Sequence, residues 1–158
     1  MIDGKTISAV MFIHNEEQYI EEALLSIRNQ TVAVDHTIIV DDYSTDNTLS
    51  VIHCLSKSSD NIKILKGTTH GKSYACEFGL LNVETDLFFI CHGDDVLAHN
   101  YVEEMHNFIS CNSLKYAYPN YVITDENLNP LKYSSRRKPV DKYEALIKHD
   151  LTGYLFGY

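Results

Sequence analysis

Two pairs of adjacent aspartates, Asp41-Asp42 and Asp94-Asp95, carry the clearest chemical potential in this chain. The first pair ends the run in IIVDDYSTDNT, and the second stands in FFICHGDDVL just after His92 and Gly93. Ile38, Ile39 and Val40 are β-branched and unbroken, the pattern of a strand covered on both faces. Carboxylates are rarely buried unpaired, so both pairs are expected where their strands emerge. In an open α/β sheet that carboxyl edge is where ligands bind. Grouped carboxylates without thiolate partners suit a hard divalent cation, Mn2+ or Mg2+, which keeps waters and bridges substrate phosphates. Gly93 lets the backbone approach such a ligand closely. Taken singly, an Asp-Asp after a strand is a turn or a helix cap. Two pairs after two parallel strands favour a site.

The elements that would position them alternate regularly. ISAVMFI (7–13), TIIV (37–40), IKIL (62–65) and DLFFICH (86–92) read as buried strands. Between them, Asn15 followed by Gln18 has capping-box spacing and opens a helix whose Ile20, Ala23, Leu24 and Ile27 recur at helical intervals. STDNTLSVIHCL begins with capping residues and turns Leu49, Ile52 and either Cys54 or Leu55 inward. GKSYACEFGLLNV (71–83) and NYVEEMHNFIS (100–110) are further helices. Such alternation with short connections predicts an α/β fold, a mostly parallel, doubly wound sheet flanked by helices. YAYPNYVIT (116–124) reads as a strand interrupted by Pro119 near an edge. After Asn129 the pattern weakens into a basic cluster, a short helix from Val140 and the apolar, aromatic LTGYLFGY, which resembles the start of another strand. There is no internal repeat and no low-complexity linker.

At 158 residues the chain is most simply one domain, 1–158, able to bury a sizeable core. The formal charge of −9 argues against nucleic acid and against a polybasic membrane anchor. No apolar run reaches membrane-spanning length, and MIDGKTISAV lacks a signal-peptide pattern. The four cysteines, Cys54, Cys76, Cys91 and Cys111, form no CxxC pair, and three lie in apolar or helical contexts that suit buried free thiols. A cytoplasmic protein, free or peripheral at the membrane, is the plain expectation.

The segments AVMFIHNEEQYIEEALLSIRNQT, TIIVDDYSTDNT and FFICHGDDVL together resemble the family 2 glycosyltransferases, and residues 6 to about 125 follow that family's order of elements. The resemblance implies a Rossmann-like GT-A nucleotide-binding domain in which about 1–125 bind the nucleotide sugar and 126–158 begin an incomplete acceptor-side part. It implies transfer of a sugar from a nucleotide-diphosphate donor, a UDP-sugar by family habit, usually with inversion. The acceptor would be a glycan or lipid-linked molecule of cell-envelope polysaccharide synthesis, and a divalent metal would hold the donor. Donor-binding positions carried over are His14, Asn15, Glu16, Asp41, Asp42, Lys72, Gly93 and Asp94. Asp42 matches the carboxylate that accepts from the uracil ring, with Asp41 supporting its loop. His14 falls where the family has an aromatic ring on the base; it either stacks there or is a loop residue before a helix. HGD aligns with the DxD motif, so the metal set is Asp94, Asp95 and His92.

The chain departs from that pattern in four places. His92 replaces the first DxD carboxylate. Ala75-Cys76-Glu77 stands where the family often has Ala-Arg-Asn, and Lys72 either compensates for the lost cation or is solvated. Phe12-Ile13-His14-Asn15 keeps only Asn15 of a Pro-Thr-Tyr-Asn run. The catalytic base is expected beyond the strand that LTGYLFGY begins, hence beyond Tyr158. Asp125, Glu126, Asp141 and Glu144 stand in no base motif and read as solvated charges. Arg136-Arg137-Lys138 either reaches an anion or forms an exposed basic turn. Tyr154, Phe156 and Tyr158 predict self-association or a missing partner surface. A competing reading is a non-catalytic nucleotide-diphosphate binding module. A phosphoryl-transfer domain is disfavoured, because no lysine matches the one such sites carry at a later strand end.

Overall fold

A computed structural model describes residues 2–57, 61–68 and 71–133 and the backbone of 156–157. Strand β1 (Ile7–Ile13) is buried along its whole length, as an unbroken apolar run at the centre of a two-faced sheet must be. It is flanked in parallel by β2 (His36–Asp41) and β4 (Leu87–His92), and β3 (Ile62–Lys66) extends the sheet beyond β2. Helices α1 (Ile20–Arg28), α2 (Thr48–Ser56) and α3 (Lys72–Leu80) make the crossovers, and α4 (Tyr101–Cys111) follows β4. This is the expected α/β architecture, a parallel sheet covered by helices.

Period-two alternation along β1 divides the core. Ile7, Ala9, Met11 and Ile13 pack with α1 residues Ile20, Ala23, Leu24 and Ile27 and with Val102 and Ile109 of α4. Phe12 packs on the other face with Ile38, Val40, Ile90 and Ala75 of α3. Helix α3 lies very close to the sheet there: a β-carbon on Gly79 would come within 2.6 Å of a Val10 methyl, so only glycine fits.

Strand β5 (Tyr116–Ala117) and strand β8 (Phe156–Gly157) complete the larger sheet, in the order β3-β2-β1-β4-β8-β5. The strand expected at the end of the chain thus lies between β4 and β5, antiparallel to both. The stretch 116–124 is not one interrupted strand. It divides around Pro119 into β5 and β6 (Val122–Thr124), and β6 pairs with β7 (Pro130–Tyr133) in a separate hairpin. Proline cannot continue the ladder, which gives the break its cause.

Three other expectations change. Asn15 does not open α1, which starts five residues later with Tyr19 as its N-cap and no side-chain capping bond. Asn15 has φ 56°, a left-handed conformation that asparagine tolerates and a helix cannot use. Asp41 does not emerge; it is 4% exposed, and its Oδ1 accepts the Ser44 N–H at 3.0 Å, so the desolvated carboxylate is hydrogen-bonded. Of the thiols only Cys91 is buried, whereas Cys54 and Cys111 are exposed on outer helix faces. The helix expected from Val140 lies outside the described residues, as do Arg136-Arg137-Lys138, Asp141, Glu144, Tyr154 and Tyr158 and the side chain of Phe156. Among the described residues no helix is long and apolar enough to cross a membrane.

Candidate donor and metal site

Parallel register brings the candidate residues to one edge. Ile13 lies beside Asp41, and Phe12 lies beside His92. The loops after β1, β2 and β4 and the start of α3 therefore converge, as expected for a crevice at the carboxyl ends of the strands.

The loop after β1 and the loop after β2 are cross-linked by polar groups. Asn15 N–H donates to Ser44 Oγ (3.0 Å), and Asn15 Oδ1 accepts Thr45 N–H (2.7 Å). Glu16 N–H donates to Thr48 Oγ1 at 2.7 Å, and Glu17 N–H to Asp46 Oδ2 at 3.1 Å. Glu17 Oε2 in turn accepts Asn47 N–H at 2.8 Å. The polar run STDNT serves two ends at once: Asp46 Oδ1 accepts Thr48 N–H at the start of α2, while its other oxygen holds the opposite loop. Desolvation, the largest single effect, pushes the Asp46 carboxyl up, but the bonds from Thr48 and Glu17 together outweigh it and hold the carboxyl below its ordinary value.

On this lattice stands His14. Its Nδ1–H donates to the Asp42 carbonyl at 2.6 Å, which leaves Nε2 to accept from Asn15 Nδ2 at 3.2 Å. Both ring nitrogens are engaged while the residue remains exposed. Asp42 is half-buried, and its carboxylate accepts Gly71 N–H at 3.0 and 3.2 Å, tying the end of β2 to the start of α3. Gly71 has φ 126°, a conformation L side chains rarely adopt.

Around β4 the second group assembles. His92 is 6% exposed and meets the Phe12 ring edge-on at 4.4 Å between centroids. One ligand atom each from His92, Asp94 and Asp95 lies within 4.8 Å of the others. One imidazole nitrogen and two carboxylates, one exposed and one half-buried, form a donor set that fits a divalent cation. The following loop is anchored from α1: Leu97 N–H donates to Ser26 Oγ (3.1 Å), and Gln30 bonds the Ala98 carbonyl (2.8 Å) and Val102 N–H (3.0 Å).

Glu16 joins the two groups. Burial, and next the charge of Asp94, push its carboxyl up to about 7, against a backbone hydrogen bond at His14 and the charge of Lys72. Its Oε2 is buried and has no hydrogen-bond partner among the described residues. Lys72 Nζ stands 5.5 Å from the Phe12 ring centroid, so the first-turn lysine lies over an aromatic face beside the crevice. Burial raises the Cys76 thiol, partly offset by Lys72, and burial followed by Asp95 and Glu16 raises Cys91. Both thiols are protonated at neutral pH and are poor nucleophiles.

All eight donor-side candidates and the three metal candidates thus meet along one edge. Phe12, Tyr43 and Lys66 were not anticipated. Lys66 ends β3 beside Asp41, with Nζ 5.2 Å from the Tyr43 ring centroid. The strand expected over 62–65 ends at Leu65, one residue short of Lys66. Phe12 was visible in a buried strand and at the head of the altered Phe12-Ile13-His14-Asn15 run but not as a site residue, and the exposure of Tyr43 to Lys66 depends on its φ of 60°, which sequence does not announce. Asp125 is not a free surface charge: it accepts from Asn127 N–H, Asn129 N–H and Asn129 Nδ2 and so folds the turn between β6 and β7. The Asn129 bonds hold its carboxyl below the usual range.

A parallel sheet of this order flanked by helices is the architecture of the GT-A glycosyltransferases, and solved structures agree. Mannosyltransferase PcManGT from Pyrobaculum calidifontis, in complex with GDP-Man and Mn2+, superimposes with a TM-score of 0.66 at 19% identity. That match covers 77% of this chain and 36% of PcManGT. S. aureus TarS 1-349 in complex with UDP gives a TM-score of 0.63 at 23% identity, covering 70% of this chain and 34% of TarS. In sequence, an uncharacterized glycosyltransferase of Haemophilus influenzae is 29% identical over 143 residues, which is 90% of this chain and 57% of that protein. The chain therefore spans little more than half the length of that relative. The model of Glycosyl transferase family 2 matches residues 8–158, and the chain belongs to this family.

Proposed function

We propose that the chain is the donor-binding part of a glycosyltransferase that takes a nucleoside diphosphate sugar, a UDP-sugar for preference, and transfers the sugar with inversion to a glycan or lipid-linked acceptor. The observation that carries this reading is the convergence of His92, Asp94 and Asp95 within 4.8 Å at the same edge as the His14–Asp42 loops. The UDP bound by TarS and the GDP-Man and Mn2+ bound by PcManGT support the substrate class.

In this reading the exposed His14 ring lies on the base, held in one tautomer by Asp42 and Asn15. The Asp42 carboxylate takes a ring N–H of uracil on a lone pair beside those directed at Gly71. Asp41 and Asn15 hold the loop, Gly93 admits the diphosphate, and Lys72 supplies a cation to it. His92, Asp94 and Asp95 would hold a divalent cation, which offsets the charge developing on the leaving diphosphate. Glu16, its carboxyl pushed up by burial and then by Asp94, would limit the negative charge of the cluster. In the transfer the bond from the sugar's anomeric carbon to the diphosphate oxygen breaks, and the electron pair leaves with the diphosphate. The acceptor oxygen bonds to that carbon from the opposite side and gives its proton to a base. No described carboxylate outside the donor site is placed as that base.

The free thiols and the nucleotide-sugar substrate favour a cytoplasmic location. Within the chain, about 1–125 would be the donor part and 126–158 the start of an acceptor-side part.

Calorimetric titration of UDP with Mn2+ and with EDTA, on wild type and Asp94→Ala, tests the reading. Metal-dependent binding lost in the variant supports it. Binding with neither transfer nor donor hydrolysis would favour a non-catalytic nucleotide-binding module, and no binding under any condition sinks both.

A further inference from the structure

We infer that the cluster at the end of β4 selects later first-row divalent ions, Co2+ and Zn2+, over Mg2+, and that His92 is the residue that sets this preference. The inference rests on the reading of His92, Asp94 and Asp95 as a cation site and deepens it. Mg2+ requires near-octahedral oxygen ligands and gives up its waters reluctantly. An imidazole nitrogen is a softer donor that suits Zn2+ and its neighbours, and affinity at a mixed nitrogen-oxygen site rises along the series from Mn2+ through Co2+. A set with two carboxylates and one imidazole therefore separates these ions more widely than three carboxylates would.

The structure makes His92 a fixed part of that set. The parallel ladder places it beside Phe12, the Phe12 ring packs edge-on against it at 4.4 Å, and only 6% of the residue is exposed. A ring so packed cannot swing away to let water replace it, so an arriving ion meets a nitrogen already in place. Both carboxylates are less enclosed, Asp94 exposed and Asp95 half-buried, and they can adjust to the coordination number of the ion. Rigidity thus belongs to the nitrogen donor and adaptability to the oxygens. Discrimination follows from the part that does not move.

The test uses the whole chain, freed of metal with EDTA and dialysed. Mg2+, Mn2+, Co2+ and Zn2+ are titrated calorimetrically into wild type, His92→Asp, His92→Asn and Asp94→Ala, with circular dichroism confirming that each variant is folded. Wild type should bind Co2+ and Zn2+ at least about tenfold tighter than Mg2+. His92→Asp should raise Mg2+ affinity and narrow that ratio at least about tenfold, while His92→Asn should lose Co2+ affinity. In wild type Co2+ should also shift the imidazole resonances of His92 in nuclear magnetic resonance spectra, a readout that survives even if both His92 variants fail to fold.

A ratio near one in wild type, with binding still lost in Asp94→Ala, overturns the selectivity and leaves the cation site standing. A Co2+ shift confined to other histidines does the same. No ion bound by wild type, or binding untouched by Asp94→Ala, overturns the cation site and the inference with it.

Discussion

Glu16 Oε2 occupies the space that a side chain at residue 93 would need: it lies 1.9 Å from the ideal β-carbon position of Gly93. An Ile13 methyl lies 2.8 Å from the same point. The glycine of HGDD is therefore fixed by a carboxyl packed from the β1 loop, whatever ligand it also admits.

Gly93→Ala should displace Glu16, because Ile13 belongs to the buried strand and cannot give way. The overpacking should cost about 1–3 kcal/mol of stability. It should also weaken Mn2+ binding, since Asp94 follows directly. Thermal melts and Mn2+ titration of the variant check both effects, and an unchanged melting temperature would show that Glu16 is free to move aside.

Glu16 itself should make stability pH-dependent. Its carboxyl titrates at about 7 in the fold, raised by burial and then Asp94, against 4.5 for an ordinary glutamate. Between these values the folded chain holds a proton that the unfolded chain has released, so stability falls as pH rises through that window. The full penalty persists above it. Glu16→Gln should therefore melt higher than wild type above pH 7 in EDTA and show no advantage below 4.5. Saturating Mn2+ should shrink the gap, because a cation at Asp94 favours the Glu16 carboxylate. Melting curves of the two proteins that stay parallel across the range would sink this account.

Asn15 ties three neighbours together, and its loss should reach the base pocket. Asn15→Ala removes the bonds to Thr45 and His14 and puts alanine at φ 56°. A destabilisation of about 1–3 kcal/mol is expected. UDP binding should weaken further than stability alone explains, because His14 loses one of the two partners that fix its ring. Asn15→Asp keeps the acceptor for Thr45 N–H and should recover stability but not the donor to His14. Comparing uridine affinity of the two variants separates the effects.

The sheet was legible because each strand is a short β-branched or aromatic run between helical periodicities, as in residues 37–40 and 86–92. The convergence of both aspartate pairs followed from that order alone. What sequence did not disclose were long-range polar bonds. Asn15 and Gln18 satisfy a local capping pattern, yet Asn15 spends its amide on Thr45, thirty residues away, and α1 starts late. Asp41 looked like an emerging charge because its satisfaction by Ser44 N–H depends on how the loop turns. Asp125 looked solvated for the same reason. Local propensity was right about type and wrong about partner.

Lys72 gives the sharpest test of the diphosphate side. Its amino group lies over Phe12 and its charge is felt by Glu16 and Cys76, which places it at the crevice rather than on the outer face of α3. On the proposed reading a lysine there would contact the phosphates and not the base, which His14 and Asp42 would hold at the end of β2. Lys72→Ala should therefore lower UDP affinity by about 10- to 150-fold while leaving uridine affinity unchanged, since one charge-assisted phosphate contact is worth about 1.5–3 kcal/mol. Displacement titrations with both ligands in Mn2+ measure this directly. Equal losses for UDP and uridine would mean that the substitution disturbs α3 and the Gly71 bond to Asp42. No loss for either would make Lys72 a solvated helix residue whose position over Phe12 serves packing alone.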